Sequence, residues 1–167
     1  MSTERFFSAD PYNDEHIRLF SDFEANNGIS NETTSFLKNI RQNQTEESYK
    51  NQIRENNEVH QILFLQSDNK IIDSCHIQGE KDMKSCRIFF APIITIGRNR
   101  PLVTLSTDYA INVMGMEDVF VTVTTDGSDR LLRENLEEKG FEDLGEDNGT
   151  ITYLKEKVET KEIGKTL

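Results

Sequence analysis

Cysteine is nearly absent from this 167-residue chain, with Cys75 and Cys86 the only two. Two thiols are too few for the cross-linked framework of a small secreted domain and form no metal-ligand cluster, so each is expected to be a small apolar side chain in the core. They fall in adjacent predicted strands, which leaves a face-to-face placement across a hairpin open. Histidine is equally scarce: His16, His60 and His76 are spread along the chain without HxxxH or HxxE spacing, and no metal is expected. Basic charge is also short, with 19 Lys and Arg against 30 Asp and Glu and a net charge of −11. That balance excludes a nucleic-acid partner, because nothing resembles a stripe able to neutralise phosphates. It favours cationic partners, through attraction that salt weakens. No apolar run approaches the roughly 18 residues that cross a bilayer, and Met1 to Phe20 lacks the basic start and apolar centre of a signal peptide. The expectation is a cytoplasmic protein without a membrane partner.

The chain does contain 35% hydrophobic residues, enough for one core and too little length for two ordinary domains. A single domain is expected over 1–157, with a helical part at 1–58, a sheet part at 59–157 and a polar tail at 158–167. Phe6-Phe7-Ser8 reads as a short strand. Ile17, Leu19, Phe20 and Phe23 recur at helical spacing, and a sparse stripe from Thr33 to Glu58 predicts one bent helix or two short ones split near Asn43-Gln44. Val59–Gln66, Lys70–Gln78 and Ser85–Ile94 read as an antiparallel meander. Pro101–Met114 is apolar at i, i+3, i+4 and i+7, with proline at a first-turn position where its missing N–H is harmless. Asp118–Thr125 alternates as a strand, and Asp126-Gly127-Ser128 leads into a helix over Asp129–Lys139 that Gly140 ends. Phe141–Gly145 and Thr150–Lys157 form a hairpin about Asn148-Gly149.

This order of elements over Val59 to Lys157, with Phe90-Ala91-Pro92 at a strand end, Gly115 before the next strand and Gly140-Phe141 after the last helix, resembles the GNAT superfamily of acyl-CoA N-acyltransferases. The resemblance implies a mixed α/β (α+β) fold, with a mostly antiparallel central sheet, splayed central strands and flanking helices. It implies acetyl-CoA or another acyl-CoA as co-substrate and a primary amine as acceptor. Counting forward from Pro92 and back from Gly115 puts the family's phosphate turn at Thr95 to Arg100. Thr95 replaces the family's Gln or Arg, and Arg98 and Arg100 replace its glycines, so charge from those two arginines is expected to do what glycine amides do elsewhere. The coenzyme residues implied are Phe90, Ala91 and Ile93 by main chain, then Gly97, Arg98, Asn99 and Arg100, with Asp129 at the position of an Asn before the last helix. The Tyr that protonates the departing thiolate aligns with Leu136.

A general base is expected on the meander, and His76 and Glu80 are the candidates, with Asp73 on the face opposite His76. Tyr109, Thr122 and Thr124 are further candidates for lining the acceptor cleft. Two functions of different class follow. One is N-acyl transfer from acyl-CoA to an amine; the other is a binding or regulatory module of the same fold that has lost turnover and engages a protein partner through the Asn/Gln-rich helices and the acidic surface.

Overall fold

The computed structural model describes residues 4–93 and 99–158. Its strands are β1 (Arg5–Ser8), β2 (Glu58–Ser67), β3 (Lys70–Glu80), β4 (Ser85–Phe90), β5 (Asp118–Thr124), β6 (Glu142–Asp147) and β7 (Thr150–Glu156). Its helices are α1 (Asp14–Asn26), α2 (Glu32–Asn43), α3 (Glu46–Glu55), α4 (Pro101–Asn112) and α5 (Arg130–Glu138). The strands form one sheet in the order β1-β2-β3-β4-β5-β7-β6, antiparallel throughout except for β4 beside β5.

Local chemistry explains the punctuation. Asn13 caps α1 by accepting from the Glu15 and His16 N–H groups. The expected break between the two polar helices is real: α2 ends at Asn43, and Thr45 opens α3 by accepting from the Ser48 N–H. Asp68 and Asn69 both sit at positive φ, as do Asn148 and Gly149, which is the twist that a two-residue hairpin demands. Gly140 takes φ +92° to end α5, and Phe141 then leaves the strand it was expected to begin and packs into the core.

The sheet is covered on both faces. Leu63, Leu65, Cys75, Ile77, Ile88, Val119, Val121 and Val123 face α4 and α5, while Ile62, Phe64 and Ile71 face α1 and α2 through Leu19, Phe20, Phe23 and Leu37. Each fully buried aromatic or aliphatic side chain here is worth about 1.5–3 kcal/mol of transfer free energy. The cysteines are both buried but not opposed, since Cys75 lies across from Phe90 and Cys86 across from Gly79. By contrast α3 buries none of its residues and lies as an exposed strap over the β2 side of the sheet.

Candidate active site

β4 and β5 are the two central parallel strands, joined by the α4 crossover, and they pair over only three positions: Ser85 with Asp118, Cys86 with Val119 and Arg87 with Phe120. Beyond these the strands separate, and β5 continues alone against β7 as far as Thr124 with Thr150. The expected splay is therefore present. In an antiparallel pair, alternate residues turn both backbone groups to the partner. The Ala91 N–H donates to Ser74 O at 2.9 Å, so Phe89 and Ala91 face β3. The pairing of Arg87 with Phe120 spends the Ile88 N–H on β5, which leaves the Ile88 C=O and the backbone groups of Phe90 toward the opening. Of the strand-end residues expected to present main chain, Phe90 does so. Ala91 is turned to β3, and the Ile93 N–H closes a tight turn on Ala91 O at 2.9 Å.

The start of α4 stands beside that opening. Pro101 occupies its first position and no acidic residue lies in its first turn, so its dipole remains available to an anion. Gly97 and Arg98 of the expected phosphate turn lie outside the described residues. Asn99 is exposed. Arg100 corrects the sequence-based expectation. Its guanidinium is not turned to solvent but closed on Asp73, with Nε to Oδ2 at 2.8 Å and Nη2 to Oδ1 at 2.9 Å, both side chains less than 10% exposed. The same Nη2 donates to Ala91 O at 2.7 Å, and the guanidinium carbon lies 5.2 Å from the centre of the Phe90 ring. Its backbone N–H donates to Asn135 Oδ1 at 3.0 Å. One residue thus ties β3, the end of β4, α4 and α5 around the opening. An arginine without an exposed head is a framing residue, and a sequence that places it in a basic GRNR cluster gives no sign of its buried carboxylate partner 27 positions earlier.

Asp129 stands across the opening at the end of β5, where its carboxylate accepts from the Thr124 N–H at 2.8 Å and hydroxyl at 3.0 Å. Its oxygens fix the β5–α5 turn. Leu136, at the position of the family's tyrosine, is fully buried.

On the α1–α2 face a cleft of about 320 Å³ reaches the end of β4, lined by Glu24, Thr33, Ser74, His76, Phe89 and Phe90 among others. His76 is in it, and Asp73 points to the other face, as the strand alternation requires. His76 Nε2 is 2.9 Å from Thr33 Oγ1, and its Nδ1 is 2.9 Å from Nε2 of His60. Burial, and secondarily the neighbouring His60, pushes the His76 pKa down to about 4, so the ring is neutral at pH 7 and weak as an isolated base. Burial lowers His60 as well. Glu24, 4% exposed, accepts the Thr33 N–H at 3.1 Å and the Thr34 N–H at 2.8 Å, with a further bond from the Thr34 hydroxyl. This carboxylate from α1 caps the start of α2 and has no cation partner among the described residues. Composition alone did not single it out among thirty acidic residues.

Glu80 does not join the cleft. It ends β3 opposite Ser85, at the closed end of the sheet, four residues or about 13 Å along the strand from His76. Tyr109 also lies elsewhere, its hydroxyl donating to Gln61 Oε1 at 3.0 Å and its ring against Phe6. Thr122 meets Thr152 across the strand pair, and Thr124 is held by Asp126 and Asp129.

No protein-family model matches the chain, and no curated protein matches it in sequence. Solved structures do match in shape. The Campylobacter jejuni N-acetyltransferase PseH in complex with acetyl coenzyme A superposes with a TM-score of 0.59 at 16% identity, over 93% of this chain and 100% of that one. The spermidine N-acetyltransferase of Vibrio cholerae gives 0.60 at 14% identity, over 92% and 93%. A Salmonella typhimurium acetyl transferase that modifies the N-terminal serine of a ribosomal protein gives 0.61 at 14% identity, over 93% and 96%. At such identities the likeness establishes the fold, and together with the parted β4 and β5 it shows that this chain has the GNAT fold.

Proposed function

We propose that the protein is an N-acyltransferase that moves an acetyl or similar acyl group from acyl-CoA to a primary amine. The observation that carries this reading is the opening between β4 and β5, where the Ile88 C=O and the backbone groups of Phe90 meet the start of α4 on one side and the His76 cleft on the other. The unpaired N–H and C=O groups suit the amides of a pantetheine arm, and the helix start suits its phosphates. Arg98 supplies added phosphate charge in this reading. The acetyl-CoA bound by the PseH protein in the same fold supports that donor.

The acceptor enters from the other face as an ammonium ion. The overall charge of −11 draws it in, and the Glu24 carboxylate within the cleft offers a local counter-charge. A spermidine-modifying enzyme and an enzyme that modifies a protein N-terminus share the fold, and both acceptor types present such a cation. After the ammonium loses a proton, the amine attacks the thioester carbonyl; the new C–N bond forms, the C–S bond breaks, and the leaving thiolate takes a proton from water because Leu136 supplies none. Holding the two reactants together provides much of the acceleration. In this reading the protein works in the cytoplasm, where acyl-CoA is available.

The competing reading, a binding module without turnover, draws on two observations: the buried Leu136 in place of an acid, and the Arg100 N–H already bonded to Asn135. Release of free CoA thiol from acetyl-CoA, followed with spermidine and with a serine-initiated peptide as acceptors, separates the two. Amine-dependent release is expected. Coenzyme binding without release from either amine would favour the binding module.

A further inference from the structure

Three side chains in a row link the acceptor cleft to a second cavity, and nothing in the reaction as described above uses the far end. Thr33, on α2, has its hydroxyl in the cleft and 2.9 Å from His76 Nε2, and His76 Nδ1 is 2.9 Å from His60 Nε2. His60, on β2, lines a separate cavity of about 230 Å³ beneath the α3 strap, shared with Tyr12, Phe36, Tyr49, Ile53 and Gln61. Its remaining nitrogen, Nδ1, makes no hydrogen bond among the described residues. The Phe36 ring, 4.6 Å from the imidazole, holds that ring in place.

We propose that Thr33, His76 and His60 form a proton relay that carries the proton of the acceptor ammonium from the cleft to water beneath α3, with His60 as the exit residue. This rests on the acyltransferase reading. In the step, the N–H bond of the ammonium breaks and its proton goes to Thr33 Oγ1, while the hydroxyl proton passes to His76 Nε2. The Nδ1 proton of His76 passes to His60 Nε2, and the Nδ1 proton of His60 leaves to water. One proton enters and another leaves, the free amine remains in the cleft, and no electron pair leaves the chain. The chain resets by the reverse transfers once the product has left, with a proton from water entering at His60 Nδ1 and Thr33 giving one to water in the vacated cleft.

The arrangement solves a specific problem. A buried ring that disfavours positive charge is a poor place to store a proton, yet it passes one on readily when its other nitrogen is already hydrogen-bonded to an acceptor. His76 has no other outlet, because its two nitrogens are occupied by Thr33 and His60. His60 is only partly buried and opens toward solvent. The weak basicity of His76, a defect in a lone base, is then no obstacle.

The test uses the full chain with acetyl-CoA and with spermidine or the serine-initiated peptide as acceptor, reading CoA release in mixtures of H2O and D2O. In the unaltered protein the rate is expected to fall along a curve as deuterium rises, the mark of several protons in flight. His60→Gln keeps a hydrogen-bonding side chain that cannot hand on a proton; kcat is expected to fall at least about tenfold, KM for acetyl-CoA to stay unchanged, and the deuterium dependence to become linear. In His60→Ala, added imidazole entering beneath α3 is expected to restore turnover. Unchanged kcat and an unchanged curve in His60→Gln, with a wild-type enzyme that releases CoA, would overturn the relay and leave the acyltransferase standing. A loss in His60→Ala that imidazole does not restore, with melting temperature also lowered, would assign His60 to structure and overturn it too. No release by the unaltered protein with either amine would overturn the acyltransferase reading, and the relay with it.

Discussion

Arg100→Ala is expected to cost about 3–5 kcal/mol of folding stability, the scale of a buried pair that loses one partner. The substitution leaves the Asp73 carboxylate 4% exposed with only the Ser74 N–H as a remaining donor, and it takes the Nη2 bond from Ala91 O. It also removes the cation that lies against Phe90. Arg100→Lys keeps the charge but not the two-pronged geometry, so it should fall between the two. Replacing both members, Asp73→Leu with Arg100→Met, should cost less than either single change because no charge is then stranded. Urea unfolding of these variants, with Asp73→Leu and Arg100→Met also made singly, measures this directly. A loss below about 1 kcal/mol in Arg100→Ala would show that the pair is exposed and screened, as surface pairs are.

Acidification supplies the second large effect. His76 has a pKa of about 4 in the folded protein against an ordinary value of 6.5, so the unfolded chain binds the proton more readily. The stability held in this way is complete above about pH 6.5 and declines as the pH falls from there toward 4, where the folded protein also takes up the proton. Between pH 7 and pH 4.5 the loss from this ring amounts to roughly 2 kcal/mol, and the lowered His60 adds to it in the same direction. The difference between the wild type and His76→Gln isolates the ring from the carboxylates that titrate in both. Urea midpoints should converge as the pH is lowered; parallel curves for the two proteins would remove the histidine from the account.

What could be read from the sequence follows from where the signals are local. Pro101, the Asn148-Gly149 turn, Gly140 and the alternation of Val119, Val121 and Val123 each report on neighbours within a few residues, and the corresponding elements lie where those signals place them. The strand ends were less legible: β4 stops at Phe90 instead of Ile94, because its apolar run continues past the point where pairing with β3 ends. Parting of β4 from β5 came from family likeness, since no residue of either strand announces it.

The site was harder, for the same reason. Residue type and strand position single out His76 as a candidate, but the partners that surround it, Thr33 and His60, are 43 and 16 positions away. Its neighbours in sequence make Arg100 look like a phosphate ligand, whereas its guanidinium is held by Asp73 on another strand. Glu80 has the residue type of a general base, but distance along β3 removes it from the cleft. Long-range pairing decides the role of a charged or titratable group, and a single sequence carries little trace of it.

The central claim, that the opening between β4 and β5 is an acyl-CoA site, is tested most directly by calorimetric titration with acetyl-CoA, paired with melting curves at the same ligand concentrations. The account predicts saturable binding at one molecule per chain, and a melting temperature that climbs as ligand exceeds its dissociation constant, with about 2.7 kcal/mol gained at a hundredfold excess. No heat and no shift at millimolar acetyl-CoA would contradict it.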